Sequence, residues 1–198
     1  RDFCLSRGLG DVYKRQREQF SVPVQVSSVS AAIVGSEMQS SRRLEPPSVL
    51  ALFADDSIAC AVTTPTGVEP VGVYRDDLTT QGLLDGIGEA SIRTLEAAVT
   101  DAKFQTLSRP ALDRRARGLG QLVGELCQQH SPATVVIAGS AFIDDPLAPA
   151  PFAQAVRETA GRQVDLRVLP THREMVRDIA RAAALDLVLT QPLAVAAA

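Results

Sequence analysis

The chain has 198 residues, 45% of them apolar, 22% charged and 4% aromatic, with a formal charge of −3. These values suit one globular unit with a real core and exclude wholesale disorder. They also exclude a field basic enough to grip nucleic acid unaided, and no stretch reaches the ~18 uninterrupted apolar residues of a membrane-spanning helix. Cys4, Cys60 and Cys127 form neither a CxxC pair nor an even disulfide set. No segment has the layout of a secretory signal, and the expectation is a cytoplasmic protein with reduced thiols and no membrane partner.

The opening run RDFCLSRGLGDVYKRQ has no sustained period, and its last six residues resemble translated adaptor read-through from shotgun sequencing. Residues 1–16 are therefore expected to be non-native or disordered, the alternative being a short basic arm. Residues 17–193 are expected to form one α/β lobe, with 194–198 as a frayed tail. Val22 to Val26 reads as a short strand, and Ser27 and Ser28 sit where the next helix, SVSAAIVGSEMQSS, would be capped. Pro46 and Pro47 end that segment. SVLALFA and SIACAVTTP, separated by Asp55 and Asp56, make a hairpin, Thr66-Gly67 a second turn, and VEPVGVY a third strand.

Leu83, Leu84, Ile87, Ile92, Leu95 and Val99 fall near helical spacing and predict a helix over 81–103. Ser108-Arg109-Pro110 predicts a cap with proline in the first turn of a long helix over 111–129. ATVVIAG is a continuous apolar run, as in a strand covered on both faces. A helix over 151–160, an alternating strand VDLRVLP and a helix over 173–185 complete the pattern. Strand–helix alternation after an upstream hairpin predicts a mixed sheet flanked by helices.

The order of these segments resembles the second half of the ROK family of bacterial sugar kinases and sugar-responsive transcriptional regulators. Four stretches carry the resemblance: VPVQVSSVSAAIVGSE, SVLALFADDSIACAVTTPTG, RARGLGQLVGELCQQHSPATVVIAGSAF and VDLRVLPTHREMVRDIARAAAL. It implies an actin-like, ribonuclease-H-like ATPase fold. Val29 stands where the family's kinases place the Asp that serves as general base, and Ser27 and Ser28 replace its Glu and Asn. Valine cannot take a proton. The second phosphate turn reads Asp55-Asp56-Ser57-Ile58-Ala59 without the family's glycines, and two carboxylates repel a polyphosphate. The family's zinc motif is absent, so no metal and no ATP are expected. Gly139-Ser140-Ala141-Phe142 matches the GxAF of actinobacterial regulators in the family.

The resemblance thus implies a catalytically inactive sensor or dimerisation part of a regulator, a homodimer responding to a sugar or sugar phosphate. DNA would be read through a helix-turn-helix outside this segment. The alternative is a glucokinase-like enzyme that phosphorylates a hexose with ATP. Ser27, Ser28, Gly139 and Ser140 are the candidate effector-binding residues, and no catalytic residue is assigned. Other charged groups read as structural: Asp55/Asp56 and Asp144-Asp145-Pro146 as turns, and Arg114, Arg115 and Arg117 as a solvated helix face. Thr171 with Glu174 reads as a capping box, His130 as a dipole-favoured helix end, and Cys127 as a core residue. Deleting residues 1–16 should leave the melting temperature unchanged in differential scanning calorimetry; a large drop would make the segment part of the fold.

Overall fold

The computed structural model describes residues 28–40, 48–65 and 67–169, with helical positions 177, 180 and 181. The expected strand at 22–26, Ser27, Thr66, Thr171 and the chain ends lie outside the described residues. Arg177, Ala180 and Arg181 of the expected final helix are helical.

Helix α1 (Val29–Ser40) starts where sequence capping places it. The Ser28 hydroxyl oxygen accepts the Ala31 amide at 3.1 Å, satisfying one of the orphan donors of the first turn. Strands β1 (Val49–Ala54), β2 (Ile58–Thr64) and β3 (Gly67–Val71) form the expected meander. Further along, β4 (Thr134–Ala138) and β5 (Asp165–Val168) join it in the order β3-β2-β1-β4-β5. β1 pairs with β2 antiparallel and with β4 parallel, and β5 is parallel to β4. The sheet is therefore mixed.

Alternation along β1 and β4 sorts the core into two layers. Leu50, Leu52, Val135 and Ile137 face one side, against Leu119, Val123, Phe152 and Val156. Val49, Ala51, Val136 and Ala138 face the other, against Ile33 and Val34 of α1. Both central strands are thus covered on both faces, which is why ATVVIAG shows no polar alternation. Cys60 lies in the first layer, and burial pushes its thiol up to about 12, leaving it protonated at neutral pH.

Two helix expectations need correction. The segment 81–103 is two helices, α2 (Thr80–Ile87) and α3 (Leu95–Thr100). Gly88 ends α2 in the left-handed conformation at φ 72°, and the Thr94 side chain caps α3. Apolar spacing persisted across this break because both helices bury Leu83 and Leu95 against one cluster with Leu112. The long helix, α4 (Gln105–His130), starts earlier than expected and carries Pro110 inside. Proline removes one backbone donor there. The turn before it is held instead by the Ser108 amide on the Phe104 carbonyl at 2.9 Å and by the side chain of Arg109.

After β4 comes the single turn α5 (Ser140–Ile143), then α6 (Pro149–Ala160), which returns the chain to β5. Helices α4 and α6 lie together on one face of the sheet, and their approach depends on Gly120 and Gly124. A Cβ at Gly120 would overlap the Phe152 carbonyl and the Ala155 side chain; one at Gly124 would overlap Thr159. Among the described residues no helix is long and apolar enough to cross a membrane. Gly120→Val should destabilise the fold by about 1–3 kcal/mol through overpacking, read as a lower midpoint in urea unfolding; Gln121→Ala, one residue away on an exposed face, should change it by less than about 0.5 kcal/mol.

Candidate functional site

β1 and β4 are parallel neighbours, with Phe53 opposite Ala138, so their C-terminal ends open on the same edge of the sheet. In open α/β sheets that edge is where ligands are bound. Here it carries the β1–β2 turn, Asp55 to Ser57, and the β4–α5 turn, Gly139 and Ser140. Gly139 has φ +108°, and a Cβ on it would overlap the Ala54 carbonyl. Only glycine lets the two turns approach this closely.

The Ser140 hydroxyl donates to Asp55 Oδ1 at 2.5 Å. The Asp55 amide donates to the Ser57 carbonyl at 3.0 Å. The Asp55 carbonyl accepts from Thr80 Oγ1 at 3.0 Å and from Arg115 Nη2 at 3.0 Å. The amide, the carbonyl and Oδ1 of Asp55 are thus engaged within the fold, while Asp56 stands exposed beside it. Of the candidate residues, Gly139 and Ser140 come together here with Asp55. Ser28 is spent as the cap of α1 and shares a 3.3 Å contact with the Ser30 hydroxyl. Val29, the first residue of α1, is partly exposed and brings no ionisable group.

Arg115 corrects the expectation of a solvated arginine face. It is 4% exposed. Its Nε donates to the Leu78 carbonyl at 2.7 Å and its Nη2 to Asp55, so it ties the β1–β2 turn to the 3-10 turn Asp76–Leu78. Burial pulls its guanidinium below the ordinary arginine value, and the carboxylates of Asp55, Asp56 and Asp145 oppose that shift. Nη1 is buried without a hydrogen-bond partner. Arg114 and Arg117 are exposed, as expected. The sequence did hold a signal for Arg115: it lies three residues after Leu112 and four before Leu119, both on the apolar stripe.

Asp145 is more than a turn residue. It is 2% exposed and receives a two-pronged pair of bonds from Arg109 at 2.9 and 2.8 Å, plus the Leu147 amide at 3.1 Å. Arg109 also pairs with Asp113 at 2.9 Å, and its hydrogen bonds to Asp145 hold it above the ordinary arginine value. This network forms the floor of a cleft of about 890 Å³ between α3, the start of α4 and the 145–147 loop, with Val99, Thr106, Pro110 and Leu147 on its walls. Its size suits a small organic molecule. Among the described residues no three His, Cys, Asp or Glu side chains gather as metal ligands.

No protein-family model matches the chain, and no curated protein matches it. Solved structures do. The ROK hexokinase of Thermus thermophilus superposes with TM-score 0.63 at 17% identity, over 86% of this chain and 68% of that one. A ROK-family glucokinase of Streptomyces griseus, in complex with glucose and AMPPNP, gives 0.62 at 13% identity, over 85% and 70%. A ROK-family transcriptional regulator, a homologue of the E. coli MLC protein, gives 0.64 at 13% identity, over 89% and 56%. The fold is that of these ROK-family proteins: an α/β, actin-like ATPase lobe with a mixed sheet flanked by helices, as expected from the sequence. Kinases and a regulator share it alike.

Asp145→Ala removes three bonds to a buried carboxylate, but Arg109 is 26% exposed and keeps Asp113. The loss should therefore be about 2 kcal/mol, below the 3–5 kcal/mol of roughly fully buried pairs; thermal denaturation of wild type and variant measures it.

Proposed function

We propose that this chain is the sensor and dimerisation part of a ROK-type transcriptional regulator that does not phosphorylate sugar. The observation that supports this reading is the β1–β2 turn. Transfer of a phosphoryl group needs donors aimed at the phosphate oxygens. At this turn the Asp55 amide is taken by Ser57, the Asp55 carboxylate is held by Ser140, and Asp56 adds an exposed negative charge. The residues present do not fit a polyphosphate. Val29, at the position the resemblance assigns to the general base, cannot accept a proton.

In this reading the two-lobed fold is kept for its cleft. The effector is a sugar or sugar phosphate, in line with a ROK-family protein of Streptococcus pneumoniae that was solved in complex with sucrose. Gly139 and Ser140, at the strand-end edge, are the effector-side residues in this reading, and closure on the effector transmits occupancy to a homodimer in the cytoplasm. DNA contact belongs to a helix-turn-helix outside these residues. No cofactor takes part.

The test is turnover and binding by the full-length protein. With glucose, ATP and magnesium in a coupled assay, no sugar-dependent ADP release above the blank is expected, while calorimetry with hexoses and their phosphates should show saturable binding. Sugar-dependent phosphorylation would establish the hexokinase alternative instead. Silence in both assays would leave a structural partner module without a ligand.

A further inference from the structure

A second cleft, of about 470 Å³, lies between α2 and α4 and opens beside the 3-10 turn. It is distinct from the strand-end site and its chemistry is of one sign. Arg75, Arg114, Arg115 and Arg117 all line it, against the single carboxylate of Asp77. That carboxylate is already matched, because Arg75 binds it through two bonds of 2.9 Å. Glu125 adds only a longer-range attraction to Arg75. Neither Arg114 nor Arg117 forms an ion pair among the described residues. Arg114 and Arg117 therefore border the cleft without an ion-pair partner, and Arg115 has only the longer-range attraction of Asp55, Asp56 and Asp145.

Arg115 supplies the second, independent observation. Its Nε and Nη2 are committed to Leu78 and Asp55, and the planar guanidinium leaves Nη1 on the remaining side, buried and without an acceptor. A fixed fork with one vacant prong, flanked by two free guanidiniums, is a recognition element for a compact multivalent oxyanion. The opposite wall is α2, where Gly86 leaves open space.

We propose that the α2–α4 cleft is an anion site for the phosphate group of a small phosphomonoester, held by Arg114, Arg115 and Arg117. A cleft of about 470 Å³ admits a small metabolite, and three arginines on its walls match one phosphate group rather than a run of them. Because Arg115 also holds the Asp55 carbonyl, a phosphate bound beside it would bear on the guanidinium that positions the strand-end turn. The site stands whether or not the lobe phosphorylates sugar, since it uses none of the groups of that reaction.

Calorimetric titration of the full chain with inorganic phosphate, glucose 6-phosphate and glucose tests this. Both phosphates should bind saturably and glucose should not compete with them. The double variant Arg114→Ala/Arg117→Ala, altered only at exposed positions, should weaken both by about tenfold or more. Those two arginines also border the larger cleft, so Gly86→Leu provides the separation: it fills only the α2–α4 cleft, leaves every arginine in place and should abolish binding with an unchanged melting temperature. Absence of phosphate binding, full affinity in Gly86→Leu, displacement of bound phosphate by glucose, or tighter binding of duplex DNA than of either phosphate would each overturn the proposal.

Discussion

One buried guanidinium organises the functional half of this lobe. Arg115 sits on a helix that otherwise contributes small and aliphatic groups to the core, and it reaches two backbone carbonyls that no regular hydrogen-bond ladder serves, at Leu78 and Asp55. A charged group at such depth is stable only when its donors are matched. Here two of its three nitrogens are matched by main chain from separate segments, which sets the position of the β1–β2 turn relative to α2. The aspartates at 55, 56 and 145 supply the surrounding negative potential. Take this side chain away and the turn, the 3-10 segment and the strand-end edge lose their common anchor.

From that anchor the rest of the edge follows. With the Asp55 turn held in place, Gly139 must pass against the Ala54 carbonyl, and Ser140 falls within reach of the Asp55 carboxylate. The result occupies the Asp55 amide and the Ser140 hydroxyl within the fold, at the place where an open α/β sheet usually presents free donors to a ligand. The larger cleft lies beside this edge, floored by the Arg109–Asp145 fork, and the arginine-lined cleft lies on the far side of α4's ridge. Arg114 and Arg117 border both. The lobe thus has two recesses of different character around one helix, the first mixed in charge and apolar-walled, the second basic.

Much of the scaffold was legible in the residues. The apolar runs SVLALFA and ATVVIAG and the Ser28 cap each report a local preference that the fold satisfies. The break between α2 and α3 was written in Gly88 and Thr94 but masked by apolar spacing that continued across it, since both helices serve one cluster. Pro110 misled for the opposite reason. A local rule places proline at a helix start, whereas contacts of Arg109 with Asp145 and Asp113 extend the helix one turn ahead of it.

Charged residues divide along the same line. By itself the sequence determined the layers: the periods of its apolar residues state which faces must be buried, and burial of those faces is a local demand that any compact solution must meet. It could not determine which of three neighbouring arginines turns inward, or that an aspartate in a turn is fully enclosed. Those outcomes depend on carbonyls and carboxylates distant in the chain, such as Asp55 and Leu78 for Arg115 and Arg109 for Asp145. A charge is buried only where such partners converge, and convergence is a property of the tertiary structure alone.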